Sequence, residues 1–251
     1  MNYQRILDFV QSSAKRLRER TGNIADIGIS KINLTEEDLA IERGFKSIIS
    51  EFGPDHRLFS EEENDVFMES ENVWVADPIS GTKNFIQGLP HYAISIAHVV
   101  RKKTVFAAVC DPSADELYTA YLHKGASMNG APICPSATEK TVVIRGSSIW
   151  KDLHMISKTK DVLSARYSVA TNSDSMALNY CWIAKGQYDG IVSFTKDSFP
   201  EFAGGFILQE AGGRFSNAGG EADISSTDRI FIGGNTAMYD QLLPLVQSIV
   251  S

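Results

Sequence analysis

Two acids separated by a short gap could serve one hard cation. Glu61 lies in "HRLFSEEEN", and Asp77 stands where the apolar stretch "VWVADPISGT" breaks at Asp-Pro. Such cations take oxygen ligands from carboxylates, carbonyls and water, so the residue types suit one if the chain brings them together. Spacing alone carries little weight, and the turn that follows adds more. Gly81 and Thr82 come directly after the strand, and a helix opening at "TKNFIQG" would leave their N–H groups to cradle a phosphate, with the Thr82 hydroxyl beside the metal. An acid ending an apolar strand needs a partner; for Asp77 a metal is preferred over a helix N-terminus.

Other polar residues have plainer readings. Asp38, three after Thr35, serves either the site or a helix N-terminus as half of a capping arrangement. Glu62, Glu63 and Asp65 read as solvated loop acids. His56 and His91 have no Ser or Cys partner at triad spacing, which favours structural or surface roles. The glycines of "EAGG" suit a helix C-terminus and close packing.

The elements that must position these groups follow from the apolar period. "YQRILDFVQSSAKRLRER" sets Ile6, Leu7, Val10, Ala14 and Leu17 on one helical stripe. "LTEEDLAIERGFKSIISEF" repeats the pattern with Leu39, Phe45, Ile48, Ile49 and Phe52, behind Thr35 as N-cap. From "NVWVADP" the period shortens, and "YAISIAHVVR", "TVFAAVCDP" and "ELYTAYL" predict an antiparallel meander. "TVVIRGS", "YDGIVSF" and "RIFIGGN" predict strands, while "SMALNYCWIAKGQ", "PEFAGGFILQEAGG" and "MYDQLLPLVQSIV" predict helices. The expected class is α+β, with two sheets interleaved with helices in one unit over residues 1–251. The Gly- and Ser-containing region at 146–148 is a candidate divide between subdomains 1–145 and 146–251.

Composition narrows the function. With 251 residues, 43% of them hydrophobic, the chain can bury a large core. A formal charge of −7 argues against a nucleic-acid partner, because there is no basic field to release counterions. The clusters "KRLRER" and "VVRKK" are balanced by nearby acids and read as solvated faces. Cys110, Cys134 and Cys181 have no C-x-x-C spacing, which suits a reducing cytoplasm. No secretory leader is read at Met1, and no apolar run is long enough to cross a bilayer, so no membrane partner is expected.

Six segments in order, "NLTEED", "HRLFSEEE", "DPISGT", "KGASMNGAPI", "NYCWIAKGQYDG" and "FPEFAGGFILQEAGG", resemble the inositol monophosphatase family of Mg-dependent, lithium-sensitive phosphatases. The resemblance spans nearly the whole chain. It implies a layered αβαβα sandwich of the inositol monophosphatase and fructose-1,6-bisphosphatase type, commonly dimeric, that hydrolyses small phosphate monoesters with Mg2+. By the same resemblance Glu61, Asp77 and the Ile79 carbonyl are metal ligands, Thr82 orients the attacking water, and Gly81 and Thr82 give N–H groups to phosphate. Asp38 matches an upstream acid that holds water near a further metal.

The departures fall in the same pocket. Where the family carries D-P-x-D-G-T this chain has Ser80. Counting back without a gap from Glu210 sets Phe199 at the Trp of the family's W-D-x-A-x-G segment and Pro200 at its metal-binding aspartate. The same register puts Ser193 at an acid that contacts the substrate's hydroxyls, and Ser175 and Met176 in the turn that lines the substrate. Glu201 or Asp197 would fill the vacated position only by a slip that turns the helix's packing face. Two cations about 3.5–4 Å apart require several anionic ligands, and each lost charge at about 4 Å removes roughly 4 kcal/mol of attraction before desolvation. One Mg2+ on Glu61, Asp77 and Ile79 is therefore the expected complement. Two function classes stay open: a phosphomonoesterase, weakened or redirected, for a sugar or cyclitol phosphate, and a non-hydrolytic descendant that binds a phosphorylated ligand, transforms it otherwise or serves as a structural partner.

Overall fold

The computed structural model describes residues 1–29, 32–62, 70–146, 153–171 and 175–250. Glu63, Asp65 and positions 147 and 148 of the candidate divide lie outside the described residues. In chain order the elements are α1 (Gln4–Arg20), α2 (Glu36–Ser50), β1 (His56–Ser60), β2 (Asn72–Ser80), α3 (Thr82–Gln87), β3 (Ala93–Val100), β4 (Lys103–Asp111), β5 (Glu116–Tyr121), β6 (Gly125–Met128) and β7 (Ala131–Pro132). The second half holds β8 (Thr141–Gly146), α4 (Leu153–Ser164), β9 (Ser168–Ala170), α5 (Met176–Ala184), β10 (Gly190–Phe194), α6 (Phe199–Glu210), β11 (Arg214–Asn217), β12 (Ile230–Gly234) and α7 (Thr236–Val250).

Side-chain alternation sorts these elements into five layers. The first sheet runs β1-β2-β3-β4-β5-β6-β7, antiparallel except for the parallel β1–β2 pair. On one face, Trp74, Ile94, Ile96 and Phe106 pack against Ile6, Val10 and Leu17 of α1 and Ile41 and Phe45 of α2. On the other face, Val73, Val75, Ala97 and Val109 meet α5 and α6. Those two helices carry their other side to the second sheet, ordered β11-β12-β10-β8-β9, through Ile191, Val143 and Phe231. Val142, Val192 and Ile232 face outward to Met238, Leu242 and Val246 of α7 and Leu163 of α4. With both faces covered, β2, β3 and β10 read as continuous apolar runs. The result is the expected αβαβα sandwich, and its central apolar cluster draws on both halves of the chain.

The structure also corrects local expectations. The loop expected before Glu61 is strand β1, paired in parallel with β2 from His56↔Asn72 to Ser60↔Ala76. Helix α4 and strands β9 and β11 had no clear sequence pattern; α4 buries only Thr159 and Leu163, too narrow a stripe to stand out.

Candidate active site

Every segment of the site ends at a sheet edge or a helix start. In β2, Asp77 pairs with Ser95 and Ser80 with Ala93, so three steps on β2 match two on β3, and the extra residue forms a bulge. Pro78 fits there because it has no N–H to give the ladder, and bulges re-aim side chains at the ends of strands. Asp77 and Ser80 are 5% and 4% exposed at the cleft floor. Gly81 follows with φ +92° as the N-cap of α3, whose first residue is Thr82. A Cβ at Gly81 would lie 3.0 Å from the His91 carbonyl oxygen and 3.2 Å from the Ser175 nitrogen, so glycine is required by both torsion and space.

Glu61 is pinned from both sides. Buried Glu42 on α2 accepts hydrogen bonds from the Ser60 hydroxyl (2.6 Å) and the Glu62 backbone N–H (3.1 Å) through the same Oε2. Sequence reasoning passed over Glu42 because it sits on the buried face of an amphipathic helix, where an acid gives no motif.

Both readings of Asp38 hold together. The Thr35 hydroxyl accepts from the Asp38 N–H (3.4 Å) and Asp38 Oδ2 accepts from the Thr35 N–H (2.8 Å), which makes a capping box on α2. The other oxygen, Oδ1, lies 3.2 Å from Thr82 Oγ1, which is also 2.7 Å from the Ile79 carbonyl. A threonine hydroxyl has one proton, so while it donates to either oxygen its lone pairs stay open to a water.

These residues meet at an open cleft of about 430 Å³ lined by Glu61, Asp77, Ile79, Ser80, Gly81, Thr82, Met176, Asp197 and Pro200. The cleft also gathers bases that the sequence reading did not single out: Lys83, Arg145 and Lys196. Lys196 lies in the short turn between β10 and α6, held by the Thr195 N–H on the Arg229 carbonyl (2.9 Å) and by the Asp197 N–H on the Thr195 hydroxyl (3.4 Å). Its ammonium is 2.9 Å from Glu61 Oε1 and 3.7 Å from Asp197 Oδ2.

Two expected contact residues stand behind the wall. Ser193 is fully buried, its hydroxyl 3.3 Å from both Tyr180 Oη and Glu201 Oε1. Strand parity explains this: like Ile191, Ser193 faces α5 and α6, away from Val192 and Phe194. Ser175 is the buried N-cap of α5, accepting from the Leu178 N–H (3.3 Å), and only its neighbour Met176 reaches the cleft. Glu201, considered as a replacement acid, is fully buried and absent from the cleft lining; one residue along a helix turns the side chain about 100° away from Pro200. Burial lifts its carboxyl well above the ordinary range, with Asp197 adding to the effect. Asp197 does line the cleft.

A smaller cavity of about 270 Å³ runs along α6 between Phe202, Phe206, Phe215 and Lys103. Its Glu210 is committed to the backbone N–H groups of His123, Lys124 and Gly125 at 3.0–3.1 Å.

The donor set can be tested against the Mg2+ pair that the resemblance implies. Among the described residues, three acids (Glu61, Asp77, Asp197) and three bases (Lys83, Arg145, Lys196) line the cleft, so its formal charges cancel. No group of three or more His, Cys, Asp or Glu side chains gathers in metal-holding geometry among those residues. A closely spaced divalent pair needs anionic excess to offset its own repulsion. The described lining residues do not supply that excess.

The chain matches the inositol monophosphatase family over residues 9–251. It is 32% identical over 218 residues to the fructose-1,6-bisphosphatase/inositol-1-monophosphatase of Aquifex aeolicus, covering 84% of this chain and 80% of that protein. It is 28% identical over 228 residues to Nus factor SuhB of Pseudomonas aeruginosa, covering 87% and 84%. A Thermotoga maritima IMPase structure superposes with a TM-score of 0.84 at 26% identity, covering 98% of this chain and 96% of that one.

Proposed function

This chain belongs to the inositol monophosphatase family, and from that premise we propose that it binds the phosphate ester of a small sugar or cyclitol, with phosphomonoesterase activity weakened or redirected. The observation that carries this reading is the convergence of Glu61, of Asp77 and Thr82, and of Lys196 on one cleft from three separated parts of the chain. The N–H groups of Gly81 and Thr82, with Lys83 and Arg145 alongside, suit a phosphate group, and Met176 shapes the substrate end.

Hydrolysis, where retained, uses the Asp38–Thr82 pair. A water donates to Thr82 Oγ1 and turns a lone pair toward phosphorus; as it attacks, its proton moves to Thr82 while the Thr82 proton moves to Asp38 Oδ1, 3.2 Å away. The P–O bond to the sugar or cyclitol oxygen breaks, and that oxygen leaves as the alcohol by taking a proton from solvent in the open cleft, to which Asp38 later returns its own. A single Mg2+ would be held by Glu61, Asp77 and the Ile79 carbonyl, and the Lys196 ammonium beside Glu61 would oppose it. Bound there, it would polarise the phosphoryl group.

The alternative is a non-hydrolytic role in ligand binding or assembly, favoured by the relatives that bear the name Nus factor. Phosphate release from a panel of sugar, inositol and nucleotide monophosphates, with and without Mg2+, separates the two when paired with calorimetric binding. Release supports the first; binding without release supports the second; neither overturns the phosphate reading. A homodimer is also proposed, with sedimentation equilibrium as its check. Among the described residues no helix is long and apolar enough to cross a membrane.

A further inference from the structure

Among the described residues, the cation beside Glu61 is a side chain. Lys196 Nζ lies 2.9 Å from Glu61 Oε1 and 3.7 Å from Asp197 Oδ2, and Asp77 lines the same cleft. The two positions whose neutral residues lower the anionic count, Ser80 and Pro200, share that lining. We propose that the Lys196 ammonium is the resident cation of this cleft, filling beside Glu61 the charge role of a divalent ion, so that the site takes a phosphate monoester without metal. The phosphate half of this inference rests on the function proposed above; the cation half does not.

The chemistry suits the exchange. An ammonium brings one charge and three rotatable donors, so it can hold Glu61 and a phosphate oxygen together without a fixed coordination geometry. Mg2+ demands near-octahedral oxygens at about 2.0–2.1 Å and gives up its waters reluctantly. An ammonium at hydrogen-bond distance from Glu61 Oε1 repels a second cation brought to the same carboxylate. The two cations therefore compete for one negative charge.

The neutral lining sharpens the consequence. Among the described residues three acids and three bases line the cleft, so a phosphate meets no net negative field from them, and Lys83, Arg145 and Lys196 draw it in. A cleft with two further carboxylates would repel phosphate until metals were bound. Neutral Ser80 and Pro200 and the cationic Lys196 shift the charge of the cleft in the same direction.

The test uses the full chain stripped with chelator, with melting curves showing that each variant is folded. Mn2+ titrations read by electron paramagnetic resonance, without phosphate, compare the parent with Lys196→Gln and with Glu61→Gln/Lys196→Gln. The single variant is expected to bind Mn2+ at least tenfold more tightly than the parent, and the double variant to lose that gain. Equal affinity in parent and single variant overturns the cation role. Calorimetry with inorganic phosphate in chelator should show binding by the parent, retention in Lys196→Arg and at least a tenfold loss in Lys196→Gln. Phosphate binding that needs Mg2+ overturns the metal-free half while sparing the proposed function. Phosphate binding absent with and without Mg2+ overturns both phosphate readings, and the Mn2+ arm still judges Lys196 on its own.

Discussion

Asp38 Oδ1 and Thr82 Oγ1 stand 3.2 Å apart, linking the first turn of α2 to the first residue of α3 across 44 positions of sequence. One carboxylate thereby caps a helix with Oδ2 and faces the cleft through Thr82 with Oδ1. The two duties separate by mutation. Thr35→Ala removes the capping partner and is expected to cost about 0.5–2 kcal/mol of stability, as other cap losses do. Thr82→Val keeps the shape, removes the hydroxyl and should abolish phosphate release with less effect on melting. Urea melts and release assays on both variants check the split; equal loss of activity in both would make Asp38 a site residue only through the helix it caps.

Gly81 sets the turn that brings Thr82 to Asp38. At φ +92°, an added Cβ meets the His91 carbonyl at 3.0 Å and the Ser175 nitrogen at 3.2 Å, both backbone atoms that cannot swing aside. Gly81→Ala is expected to cost about 1–3 kcal/mol through strain alone. It should also weaken phosphate binding, because relief requires α3 and the Ser175 turn to part. Calorimetry beside thermal melts tests this, and unchanged phosphate affinity in a folded Gly81→Ala protein would remove the turn from the binding site.

What could be read in advance depended on the range of the interaction. The Thr35 cap, the α1 stripe and the covered strands are local patterns, each written within a turn or two of chain. Glu61, Asp77 and Thr82 were named because they lie at the ends of such patterns and Ile79 only through the family resemblance, and the cleft gathers all four. The Lys196–Glu61 contact spans 135 positions, and one lysine in a polar turn gives no hint of its partner. Ser193 was assigned to a contacting acid by counting without a gap from Glu210, yet strand parity with Ile191 already pointed it at α5 and α6. Pro200 and Glu201 differ by a third of a helical turn, which is why counting without a gap separated the cleft residue from the buried one.

Ser80 and Pro200 can be returned to acids together. Pro200 lies in the first turn of α6, where an aspartate also suits the helix N-terminus. Each restored charge at about 4 Å from a cation contributes roughly 4 kcal/mol before desolvation takes most of it back. Ser80→Asp/Pro200→Asp is therefore expected to raise Mn2+ affinity and Mg2+-dependent phosphate release at least tenfold. Release assays with Mg2+ titrated against both proteins decide it; a parent already fast at low Mg2+ contradicts the account of the cleft.

Glu201 should give the fold an unusual pH dependence. It is fully buried, Ser193 donates to Oε1 at 3.3 Å, and Oε2 has no hydrogen-bond partner. Burial raises its carboxyl well above the ordinary 4.5, Asp197 raises it further, and its own backbone N–H, Ser193 and Arg145 oppose the shift without reversing it. Above 4.5 the unfolded chain releases this proton while the native chain keeps it, so this group's contribution is greatest at low pH. It falls as pH rises toward the folded value, by up to about 1.4 kcal/mol per unit. Glu201→Gln fixes the neutral form, so its stability relative to the parent should climb as pH rises above the ordinary 4.5 toward the raised folded value. Urea melts of both proteins across that interval measure the difference directly. A flat difference would mean that the carboxylate ionises inside the fold, beside Arg145, and would place a charge next to the cleft that the buried geometry denies it.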